Sequence, residues 1–200
     1  SKNPVRMRAT GRPIIRGVDR CGVGGTITTD RYIVGAERDM TNYTKFYQLL
    51  HDQIRQEFNA SHQCIATATW FDNADMPKLA KFFYARALEE NKHAMMIIQY
   101  FVDRNIDVEL TGVDATRSTF ASATESIDLS LETEKRTTDQ IVRLANAARS
   151  EGDYLGEEFM GRLLADQIEK VAYMTTLARI AKRAGNNLFE LEGFVAREMC

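Results

Sequence analysis

The chain has 200 residues, 44% apolar and 27% charged, which suits one globular domain with a sizeable core and argues against a disordered or fibrous chain. Its formal net charge of -2 hides an asymmetry: residues 1–39 carry eight of the 26 Lys/Arg and four of the 28 Asp/Glu, so the first segment is basic and the remainder acidic. An acidic body is a poor nucleic-acid surface and a natural attractor of cations.

Residues 1–39 hold six of the twelve glycines and short β-branched stretches such as Thr26-Ile27-Thr28-Thr29, with no helical period. From Asn42 the pattern changes to apolar residues at three- and four-residue steps, as in Phe46, Leu49, Leu50, Ile54 and Phe58. A boundary near Met40 is expected, dividing a basic extension (1–39) from a helical domain (40–200). The extension reads as a tag remnant, an upstream translation start or an appended segment.

The first helix is expected from about Asn42 to Phe71, ending in Asp72-Asn73-Ala74-Asp75. Asp75 is placed to cap a second helix with Pro77 in its first turn, running to about Arg104. Residues 105–121 form a connection too long for an ordinary hairpin and read as a crossover. Ser122 and Glu125 have capping-box spacing ahead of a third helix that ends at Gly152. Asp153 caps a fourth helix ending at Gly185, and a short fifth spans Leu188 to Glu198. Four helices of roughly 45 Å each, joined short, long and short, define an all-α up-down four-helix bundle with one crossover and a short C-terminal helix.

Glu90 and His93, three residues apart, project from one helix face toward a common point. Glu57 lies sixteen residues before Asn73 and Glu90 seventeen after it, so the two share a height in antiparallel helices. Around Gly152, Glu134 lies eighteen before and Gln167 fifteen after. Phe58, Leu88 and Ile168 neighbour these positions in sequence and suggest that the carboxylates face inward. Buried carboxylates need a counter-charge that one histidine cannot supply, and a divalent cation can. Paired-metal bundles place a Glu on each of two helices and an ExxH on each of the other two. Here the fourth helix offers Gln167 and Lys170 instead, so the set is lopsided.

Glu57-Phe58, Glu89-Glu90-Asn91-Lys92-His93-Ala94, Asp139-Gln140, Gln167-Ile168-Glu169 and Asn187-Leu188-Phe189-Glu190 together resemble bacterial non-haem ferritin across about residues 42–199. The resemblance implies a ferritin-like fold, iron storage and oxidation of Fe(II) by oxygen or peroxide. It also implies a homo-oligomeric shell of twenty-four subunits enclosing ferric mineral, with the last helix helping to line channels. Glu57 and His93 would hold the first iron, Glu90 would bridge, and Glu134 would hold the second beside Gln167. Glu89, Asp166 and Glu169 match the acidic positions of an accessory third iron site.

Three departures stand out. Lys170 occupies a position where these ferritins commonly carry glutamate, removing a ligand and bringing an ammonium near Glu90 and Glu134. Cys64 stands where a tyrosine is usual, and reads first as an ordinary small core residue. The third is the extension before Met40, which ferritins of this kind do not need, Met40 resembling their ordinary start.

No haem is expected, because haem-binding relatives place a methionine inside the first ExxH, where this chain has Asn91 and Lys92, although Met95 and Met96 follow. His51 and His62 point off the Glu57 face. A storage subunit with an impaired centre is the alternative reading. A DNA-protecting mini-ferritin, suggested by the basic extension, fits less well because such proteins lack the fifth helix.

No apolar run approaches the roughly 18 uncharged residues of a transmembrane helix, and no membrane partner is expected. The N-terminus has no apolar stretch before a small-residue cleavage site. Cys21, Cys64 and Cys200 indicate neither a disulfide framework nor a zinc cluster. A soluble cytoplasmic protein is therefore expected.

Overall fold

The structure is a computed structural model that describes residues 43–199; the expected boundary near Met40 and the separate character of residues 1–39 lie outside them. Five helices follow one another: α1 (Lys45–Asn73), α2 (Pro77–Asp103), α3 (Ala123–Glu151), α4 (Tyr154–Ala184) and α5 (Leu188–Glu198). No described helix is long and apolar enough to cross a membrane.

Most helix ends follow the residues expected to set them. The Ser122 side chain accepts from the Glu125 N–H at 3.1 Å, and Glu125 accepts from Ala121 N–H at 2.6 Å, a reciprocal cap displaced by one residue from the usual box. Gly152 takes a left-handed conformation at φ 72°, which stops α3 and lets Asp153 cap α4 through Gly156 N–H.

The start of α2 differs from expectation. Asp75 is left-handed at φ 57°, and Met76 occupies the cap position without a side-chain bond. The first N–H groups of α2, those of Lys78 and Leu79, are instead met at 2.9 and 2.8 Å by Glu192 of α5. The cap is supplied from more than a hundred residues away, which local spacing cannot reveal.

α1 packs on α2 and α3 on α4. The crossover runs along α1, with Asp114 bound to Arg55 and Asn59, Gln63 to Arg117, and the Trp70 ring against Phe120. α3 therefore begins beside the end of α1 and runs back along it, so that Phe46 N–H reaches Glu151 at 3.1 Å.

The interior has three zones. One end is apolar, built on Phe46, Leu50, Phe101, Ile141, Leu144 and Leu163. The other, built on Phe71, Leu79, Phe83, Ile127 and Leu177, also takes Leu191 and Val195 of α5. Between them lies a buried charged layer.

Candidate metal centre

Each bundle helix contributes to that layer: Glu57 from α1; Arg86, Glu90 and His93 from α2; Glu134 from α3; Gln167 and Lys170 from α4. All seven are buried. On α2 the four- and three-residue steps from Arg86 to Glu90 to His93 keep these side chains on one inward face. Leu88 and Ile168, whose apolar character suggested burial of this region, are 73% and 71% exposed. Glu90 is buried because the two-residue step from Leu88 places it on the opposite side of α2, and on α4 the inward residues are Gln167 and Lys170.

Ligand atoms of Glu57, Glu90 and His93 lie within 4.8 Å of one another. That spacing suits one ion, but the Lys170 ammonium already reaches into the cluster. Its Nζ is 2.7 and 2.6 Å from the two Glu90 oxygens and 3.1 Å from His93 Nδ1. An ammonium has only donors, so Nδ1 accepts and the ring proton sits on Nε2, which is 3.6 Å from Asp166 Oδ2. Burial and the Lys170 charge push the imidazole down to about 4, which favours this neutral form.

Glu57 accepts from Gln53 Nε2 at 2.8 Å through one oxygen. Its other oxygen and Gln167 Oε1 are the buried side-chain polar atoms without a hydrogen-bond partner among the described residues. Burial and the neighbouring Glu90 charge raise Glu57 to about 8, so it is largely protonated at neutral pH. Burial also raises Glu90, against the opposing pull of Lys170 and Arg86.

Glu134 faces the second half of the centre. Gln167 Nε2 donates to its Oε2 at 2.7 Å and to its backbone carbonyl at 3.0 Å. Its Oε1 accepts from Arg86 Nη2 at 2.7 Å, and the same nitrogen is 3.4 Å from Glu90 Oε1. Arg86 Nη1 also binds the exposed Glu89 at 2.7 Å. Three buried carboxylates thus meet two fixed cations, and protonation of Glu57 balances the charge.

The sequence-predicted residues Glu57, Glu90, His93, Glu134 and Gln167 converge. Glu89 and Asp166 lie at the edge through Arg86 and His93, and Glu169 is exposed. Cys64 is half-buried, and desolvation pushes its thiol well above its ordinary range, so the thiolate is disfavoured. His51 accepts from Glu109 N–H, and His62 is exposed, both away from the centre. Arg86 and Gln53 were not anticipated. The available signal was their four-residue step to Glu90 and Glu57, which resembles an ordinary surface pair unless the face is known to be buried.

The fold and this layer define a ferritin-like bundle, and the ferritin-like domain model matches residues 47–184. The chain belongs to the ferritin-like iron-storage family. It is 56% identical over 156 residues to ferritin BfrB of Mycolicibacterium smegmatis, spanning 78% of this chain and 86% of that one. Ferritin BfrB of Mycobacterium tuberculosis is 52% identical over 164 residues, covering 80% and 91%. Bacterial non-heme ferritin of Staphylococcus aureus is 31% identical over 140 residues, covering 70% and 84%. An open-pore ferritin of Archaeoglobus fulgidus shares the fold, with a TM-score of 0.74 at 22% identity over 78% of this chain and 96% of that one.

Proposed function

We propose that this chain is a storage subunit of a ferritin shell whose intra-bundle ferroxidase centre is strongly attenuated. The observation that carries this reading is the Lys170 ammonium, held by both Glu90 oxygens and His93 Nδ1. Fe(II) entering there must displace a cation that already satisfies two of its three ligands. Entry of the ion therefore competes with a buried ion pair that is already hydrogen-bonded on both carboxylate oxygens.

Storage as non-haem ferric mineral requires a shell, and homo-assembly into twenty-four subunits is part of the proposal. Leu88, Met95 and Val102 support self-association: they follow one another at seven-residue steps on the outside of α2 and are 73%, 52% and 55% exposed. Light scattering should give a mass near twenty-four subunits, and a monomer would sink the shell.

The alternative is a working ferroxidase in which Lys170 swings aside. Its support is the buried Glu57 oxygen without a partner, aimed at the cluster as a metal ligand would be. Oxidation of ferrous iron on admitting air separates the readings. An attenuated centre gives a slow rate insensitive to Glu57→Ala and His93→Ala, and Lys170→Glu accelerates it on the order of tenfold. A fast wild-type rate lost in either alanine variant would establish the alternative.

A further inference from the structure

Lys170 accounts for one half of the centre, and the other half is closed by a different residue. We propose that Arg86 occupies the second cation position, between Glu90 and Glu134, so that the chain carries two internal cations where a paired-metal bundle would place two ions. The proposal rests on the attenuated reading above and extends it to a second residue on another helix.

The oxygens facing that position are committed. Both Glu90 oxygens bind Lys170, one of them also lies near Arg86, and the two Glu134 oxygens are divided between Arg86 and Gln167. The Arg86 side chain is 8% exposed and fixed from a third direction by Glu89. The adjoining cleft, lined by Cys64, Arg86, Ser130, Thr133 and Glu134, has a volume of about 10 Å³, room for at most one water. A guanidinium does not lose its proton in the accessible pH range, so a metal ion gains this position only by physically displacing it. Arg86 and Lys170 share Glu90 Oε1, but of the two Arg86 alone binds Glu134 and Lys170 alone reaches His93, so each position can be opened by its own substitution.

The test is an anaerobic titration of the assembled full-length chain with cobalt(II), following visible absorption and counting ions bound beyond the wild type. Lys170→Glu should gain one ion per subunit. Lys170→Glu with Arg86→Gln should gain two. Lys170→Glu with Arg86→Lys, which keeps a cation, should gain one. Circular dichroism and particle size establish that each variant is folded.

Two ions in Lys170→Glu alone overturn the proposal without any change at Arg86. So does a second ion with Arg86→Lys, or only one ion in the folded Arg86→Gln double variant. These outcomes are distinct from failure of the Lys170 reading, which would appear as rapid, Glu57-dependent iron oxidation by the wild type. The Arg86 contribution is read from the difference between the Lys170→Glu and double variants.

Discussion

The two apolar ends of the bundle and the ionic layer between them are buried to similar degrees but held together differently. At the ends, stability comes from area removed from water and close packing, as around Phe101 and Leu163, and scales with the atoms buried. In the middle, it depends on each charge keeping its partner, because desolvating ions costs nearly what their attraction returns. The layer therefore contributes little net stability, while loss of one member is costly.

The largest effects should separate the two regions. Phe101→Ala leaves a cavity in the apolar end and should cost about 3–5 kcal/mol in denaturant unfolding. Glu90→Ala removes the partner shared by Lys170 and Arg86 and should cost about 3 kcal/mol although few apolar atoms are lost. Glu90→Leu combined with Lys170→Met, which removes both charges, should restore stability to within about 1 kcal/mol of wild type. Equal losses in the single and double variants would show that the layer behaves as ordinary core.

A smaller effect is expected with pH. The folded Glu57 carboxyl, raised to about 8, binds a proton that the unfolded chain releases above its ordinary 4.5, so its contribution falls as pH rises between those values. His93, lowered to about 4 from 6.5, acts oppositely, adding stability as pH rises from about 4 to 6.5. The two largely offset each other up to 6.5. Between pH 6.5 and 8 the His93 gain is complete and the Glu57 loss remains, up to about 2 kcal/mol per subunit, with the raised Glu90 acting in the same direction. Urea midpoints should fall across that window in the wild type and fall less in Glu57→Gln; a flat wild-type profile would contradict the burial of a protonated Glu57.

The smallest effect belongs to the α5 contact. Glu192→Ala should cost about 1 kcal/mol by freeing the first N–H groups of α2, read as a lower thermal midpoint. An unchanged midpoint would mean that water replaces the cap at no cost.

The residues that shape local structure were legible. Periodicity located the helices, Ser122 and Asp153 announced helix starts, and the three-residue step from Glu90 to His93 pointed to the buried charged layer. What escaped depends on which residues meet across the bundle. Glu192 supplies the cap expected of Asp75, although its own neighbourhood gives no sign of that role. Arg86, four residues from Glu90, looks like a routine exposed pair until Glu134 is seen opposite. Lys170 was legible as a missing ligand and as an ammonium near Glu90, but its choice of Glu90 over Glu134 and its contact with His93 required the fold.

The central claim is that the chain's own ammonium occupies the position where Glu57, Glu90 and His93 would bind iron. Its most direct test is a crystal of the assembled wild-type protein soaked anaerobically in ferrous iron, with diffraction collected at the iron absorption edge. The account predicts no anomalous peak among these three side chains, and Lys170 Nζ within hydrogen-bonding distance of Glu90. A strong peak there, with Lys170 turned away, would contradict it.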